Sequence, residues 1–130
     1  MSPIILHHFD ASPFAEKIRL VLGARHIEWL SVKIPMVMPK PDLTALTGGY
    51  RKTPVLQIGA DVYCDTALIC DVLEHIAPTP TIYPEAIKGA ARIVAQWADS
   101  ALFPAAMAYN FQPAGVAQVF AGASADTVQA

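Results

Sequence analysis

The stretch T-P-V-L-Q-I-G-A-D-V-Y-C-D-T-A-L-I, residues 53–69, decides the fold. Residues 53–58 form an apolar strand. Gly59-Ala60-Asp61 is a turn, and Val62-Tyr63-Cys64 a further strand, so the pair reads as a β-hairpin. Asp65-Thr66 then supplies capping oxygens at the start of an amphipathic helix whose apolar face carries Ile69, Val72, Leu73 and Ile76. Pro78 and Pro80 stop that helix.

Upstream of this block, residues 3–9 read as a short buried strand. Ser12 before Pro13 is a helix start, a side-chain oxygen followed by proline at the first helical position. Phe14, Ile18, Val21 and Leu22 continue it on one face. Residues 27–34 are another strand. Residues 35–50, with Pro35, Pro39, Pro41, Gly48 and Gly49, read as loop with one helical turn near 43–46. A crossover helix between the first two strands makes them parallel, and the hairpin adds an antiparallel edge. The class is therefore α/β, a small mixed sheet with flanking helices.

Residues 1–78 form this domain, residues 79–84 a proline-containing linker, and residues 85–130 the start of an all-helical second domain. Ile87, Ala91, Val94, Ala98 and Ala101 make one stripe on a helix expected over 84–108, with a kink at Pro104. Beyond Tyr109 the pattern fades, and Asp126 is the only charge. One helix cannot bury its own stripe, so more helical chain or a second copy is expected to cover it.

Composition narrows the classes of function. Apolar residues make up 54% and charged residues 15%, the reverse of a disordered chain. A net charge of -2 leaves no basic footprint for nucleic acid. No apolar run is long enough to span a bilayer. No Lys or Arg precedes Lys17, so no secretory leader is expected. Cys64 and Cys70 are too few for a disulfide scaffold and lack C-x-x-C spacing, which points to a reducing compartment, the cytoplasm.

Three short motifs carry chemistry. Ser12 sits where a helix N-terminus concentrates unpaired N–H groups and about half a positive charge. Its hydroxyl either caps the helix or donates to a thiolate held there. Pro54 heads a strand, where it removes a ladder donor; with a cis Thr53–Pro54 bond the Thr53 backbone turns outward to pair with an extended peptide, and with a trans bond it merely begins the strand. Asp65 and Thr66 either cap their helix or grip an amino-acid ligand, the carboxylate meeting the ammonium and the hydroxyl the carboxylate. His7 and His8 face opposite sides of a strand and cannot share a metal ion; no metal site is expected. Cys64 and Cys70 read as packing residues, as do Trp29 and Trp97. Lys40, Arg51 and Lys52 are solvated by default, though one could meet a ligand carboxylate.

The order of these motifs adds specificity. S-P-F-A-E-K-I-R-L-V-L, residues 12–22, resembles the first helix of glutathione transferases, especially omega-like and bacterial members. Residues 53–69 resemble the family's cis-proline strand, hairpin and third helix, and the resemblance covers residues 4–84. It implies a thioredoxin-like fold, with the helix from Pro84 as the first of the family's C-terminal domain. It implies glutathione as co-substrate, activated for attack on a small electrophile; the uncovered apolar surface of the helices from Pro84 and Asp65 adds the expectation of a homodimer. By position it implies that Ser12 contacts the sulfur. Thr53 and Pro54 clamp the cysteinyl backbone, Asp65 and Thr66 hold the γ-glutamyl end, and Arg51 or Lys52 meets the glycyl carboxylate. The alternative is a non-catalytic, truncated glutathione-binding or interaction module, since the helical domain that supplies the electrophile pocket is short here. Arg25-His26 stands where the family commonly has a glycine stop.

Overall fold

A computed structural model describes residues 2–122. These divide into two compact units between Ile82 and Tyr83.

The first unit is a four-stranded mixed sheet of thioredoxin-like fold. Its elements are β1 (Ile4–His8), α1 (Pro13–Ala24), β2 (Leu30–Lys33), α2 (Pro41–Thr47), β3 (Val55–Ile58), β4 (Asp61–Cys64) and α3 (Thr66–Ile76). Strand order is β2-β1-β3-β4. β1 and β2 are parallel with Leu6 opposite Ser31; β3 runs antiparallel to β1 with Leu6 opposite Leu56; β4 runs antiparallel to β3 with Leu56 opposite Tyr63. Period-two alternation places Leu6 and Leu56 on one face, where they are fully buried, as are Ile18 and Leu22 of α1 and Ile69 and Leu73 of α3. Val55 faces the other side and packs with Leu43 of α2 and Ile34.

In this unit two elements differ from their sequence expectation. β2 begins at Leu30, since residues 27–29 find no partner on the short β1. Residues 41–47 are a helix where a loop with one turn was expected. Pro41 supplies its first-turn φ, and Gly48, at φ +70°, takes the left-handed position that ends it. At the end of α1 that position falls to His26, at φ +54°, in place of a glycine. The Met38–Pro39, Thr53–Pro54 and Thr79–Pro80 bonds are cis.

The second unit holds a 3-10 turn (Glu85–Ile87), α4 (Lys88–Trp97), a π-helical segment (Ala98–Leu102), α5 (Phe103–Asn110) and α6 (Pro113–Val119). The widened π turn sits just ahead of Pro104, where a proline ring otherwise collides with a carbonyl one turn back. α6 was not expected from the fading pattern; Pro113 opens it. Gly115 is required there, for a Cβ would lie 1.8 Å from the Asn110 carbonyl oxygen. The stretch over which the sequence pattern fades continues past 122, outside the described residues.

Candidate functional site

Register brings the three motifs to one end of the sheet. Val55 at the start of β3 lies opposite His7 near the end of β1. Cys64 at the end of β4 lies opposite Val55. The loop from Phe9 to Ser12, the Thr53-Pro54 step and the Asp65-Thr66 helix start therefore emerge together.

Ser12 caps α1. Its backbone is extended, and its Oγ accepts the Ala15 N–H at 3.2 Å. That bond uses an oxygen lone pair and leaves the hydroxyl hydrogen available to an acceptor. Asp65 caps α3, with Oδ1 accepting the Ala67 N–H at 2.7 Å. Its backbone stands at φ +78°, a conformation that costs a non-glycine residue roughly 1–3 kcal/mol and that concentrates at ligand-gripping sites. The Asp65 carboxylate is exposed while Thr66 is buried. Lys17 of α1 donates to Thr66 Oγ1 at 3.1 Å, tying the two helix starts together. Thr66 thus accepts from a cation and keeps its own hydrogen to donate.

The basic groups sort by burial. Arg51 and Lys52 are exposed, whereas Lys40 is buried. Its Nζ donates to the Arg51 carbonyl at 3.3 Å and to Thr53 Oγ1 at 3.4 Å, and lies 5.5 Å from the centre of the Phe9 ring. Burial, then the nearby Arg51 charge, pushes its pKa below the usual lysine value. The sequence offered no reason to prefer Lys40; its burial follows from α2 folding its preceding loop against Phe9 and Thr53. Lys17 was likewise missed, because nothing local announces a contact 49 residues away.

Cys64 is half-buried beside Val55 and Tyr50, and burial pushes its thiol pKa up, away from the reactive thiolate. Cys70 is core. His7 bonds Gln57 and His8 bonds Ser31, from opposite faces of β1. Among the described residues, no group of three His, Cys, Asp or Glu could hold a metal ion. A hollow of about 850 Å³ lined by Ser2, Ile4, Trp29 and Leu30 lies at the opposite end of the sheet from these motifs.

The signature of the glutathione S-transferase N-terminal domain matches residues 6–81. The chain belongs to this family. Over 99% of its length it is 53% identical to a GST-like protein from Pseudomonas syringae, with a TM-score of 0.82, and covers 44% of that chain. It is 31% identical to the pyrimidodiazepine synthase of Drosophila melanogaster over 83 residues, 61% of this chain and 34% of that protein. A rice glutathione transferase solved with glutathione shares the fold at 23% identity and a TM-score of 0.70, over 78% of this chain and 49% of its own. This glutathione S-transferase-like chain thus spans under half the length of each of these relatives.

Proposed function

We propose that the first unit binds glutathione and lowers the pKa of its thiol for attack on a small electrophile. The carrying observation is the convergence of Ser12, Thr53 and the Asp65-Thr66 pair at one end of the sheet, with Lys40 and Lys17 bonded to its threonines. Asp65 meets the γ-glutamyl ammonium, and Thr66 donates to the adjoining carboxylate. Thr53 and Pro54 hold the cysteinyl backbone. Arg51 at the rim and Lys40 beneath it supply the positive field for the glycyl carboxylate. The sulfur rests at the N-terminus of α1 against the Ser12 hydroxyl.

The energetics are modest enough for this device. A free thiol has a pKa of about 8.5. Lowering it by about two units takes roughly 2.7 kcal/mol. A helix N-terminus gives up to about 2 kcal/mol in a partly buried geometry. One hydroxyl hydrogen bond to a charged group gives about 1.5–3 kcal/mol.

Ile93, Val94 and Trp97 of α4 are exposed, which supports a homodimer in which a second copy covers them. Residues 79–84 serve as the linker between the two domains. Cys64 and Cys70 form no disulfide, which supports a cytoplasmic setting, and no helix among the described residues is long and apolar enough to cross a membrane.

Ser12→Ala tests the centre of the proposal. Glutathione affinity by calorimetry is expected to stay within a few-fold, while the bound thiol's pKa, followed by thiolate absorbance, rises by about one to two units. A lowered melting temperature with an unchanged thiol pKa leaves Ser12 as a cap and nothing more.

A further inference from the structure

Arg19 sits two turns into α1 and belongs to none of the three motifs. Its guanidinium nevertheless holds the loop that delivers Ser12. Nε donates to Glu16 Oε2 at 2.7 Å. Nη1 donates to His8 Nδ1 at 2.9 Å and to the Phe9 carbonyl at 3.4 Å, and Nη2 donates to the Asp10 carbonyl at 3.0 Å. The Phe9 carbonyl is the same oxygen that accepts the Ser12 N–H, at 3.2 Å. The planar fork therefore stitches two consecutive loop carbonyls to the helix that follows them, and one of those carbonyls fixes Ser12 directly.

His8 orients the fork. Its side chain is buried at the end of β1, with Trp29 edge-on at 5.5 Å between ring centres. A guanidinium has only donors, so Nδ1 must be the acceptor, and in the neutral ring Nε2 carries the hydrogen and donates to Ser31 Oγ at 2.9 Å. Burial, then the charges of Lys33 and Arg19, lowers the pKa of the ring below 6.5, with Asp10 opposing. The charged groups around the ring are thus Arg19 on α1 with its partner Glu16, Lys33 on β2, and Asp10, which is itself paired with Lys33. Protonating His8 would turn Nδ1 into a donor facing Arg19 and release the fork.

We propose that Arg19, oriented by neutral His8, is a positioning residue for Ser12, holding the β1–α1 loop so that the hydroxyl points at the glutathione sulfur. This rests on the reading that Ser12 donates to that sulfur.

The test compares the thiol pKa of bound glutathione across variants of this chain. Arg19→Lys keeps a positive charge but cannot reach both carbonyls and His8. It is expected to raise the bound thiol's pKa by about 0.5–1 unit, a three- to tenfold loss of thiolate, with glutathione affinity within threefold. His8→Asn places an acceptor where Nδ1 stands and is expected to stay within about 0.2 unit of wild type; His8→Gln places its polar atoms near Nε2 instead and is expected to behave like Arg19→Lys. Since Arg19 acts through Ser12, the Ser12→Ala/Arg19→Lys double variant should shift no further than Ser12→Ala alone. A wild-type thiol pKa in Arg19→Lys, or additive shifts in the double variant, overturns the proposal while Ser12→Ala still moves the pKa. An unshifted Ser12→Ala removes the Ser12 reading and the proposal together. Should Arg19→Lys not fold, the His8→Asn and His8→Gln pair carries the same test, and equal behaviour of the two overturns it.

Discussion

Ile18 and Leu22 on α1, and Ile93 and Trp97 on α4, stand in the same i, i+4 relation on a helix, and their surroundings are opposite. The first pair is 0% exposed; the second is 72% and 54% exposed. Both helices carry apolar residues at helical spacing, and on α4 this pair flanks the stripe read from sequence, whose Val94 is 59% exposed. α1 lies in a unit with a sheet and a neighbouring helix, α3, so its stripe becomes core. None of residues 83–122 is buried. A stripe states which face seeks cover; a second layer decides whether the face becomes a core.

The largest contrast is expected from truncating one member of each pair. Leu22→Ala should cost about 2–5 kcal/mol in urea unfolding, the transfer and cavity terms of a packed site. At concentrations too low for self-association, Ile93→Ala should change stability by less than about 0.5 kcal/mol. Similar losses would mean that the second unit has a core of its own.

Ligand binding should separate the units next. Asp65→Asn keeps an oxygen to cap α3 and tolerates the left-handed backbone, but loses the charge. Glutathione binding should weaken by about 1.5–3 kcal/mol, roughly ten- to 150-fold, in calorimetry. Trp97→Ala should leave that affinity alone. Equal affinity of Asp65→Asn and wild type would refute the ammonium contact.

The uncovered stripe can itself be probed. Trp97→Glu should weaken self-association at least tenfold in sedimentation equilibrium, because it puts a charge into the face a second copy would cover. Wild-type chain that sediments as a monomer at high micromolar concentration would contradict the homodimer.

Acid should have the smallest effect, confined to the first unit. The folded pKa of His8 lies below its ordinary 6.5, through burial first and the Lys33 and Arg19 charges next. The unfolded chain then binds that proton more readily. The stabilisation from neutral His8 is present above about pH 6.5 and is lost as pH falls through the lowered folded value. Melting temperature should fall over that window, less steeply in His8→Asn. Identical slopes would show that the ring does not carry the dependence.

Much of the site was legible because its signals are short-range. Ser12-Pro13 and Asp65-Thr66 mark helix starts within a few residues, and both side chains accept the N–H bonds expected of caps. α2 was readable in principle from Pro41 and Gly48, but three prolines and two glycines in residues 35–50 drew the reading toward loop. Lys40 was not legible. A lysine amid prolines looks solvated until α2, Phe9 and Thr53 close around it. Arg19 was hidden differently, since its spacing on α1 suggests a surface charge paired with Glu16, and only the end of β1 brings His8 beneath it.

Sequence was enough for the class of fold, the alternation of strands and helices in the first unit, the starts of α1 and α3, and the family. Those depend on capping, turn chemistry and apolar periodicity, which act over three or four neighbouring residues. Tertiary structure alone decided which charges are buried, how the β1–α1 loop is held, and that one stripe becomes core while the other stays exposed. Each of those depends on strand register and on contacts between segments up to about fifty residues apart, where the partner of a side chain is chosen by the packing of whole elements rather than by its neighbours in the chain.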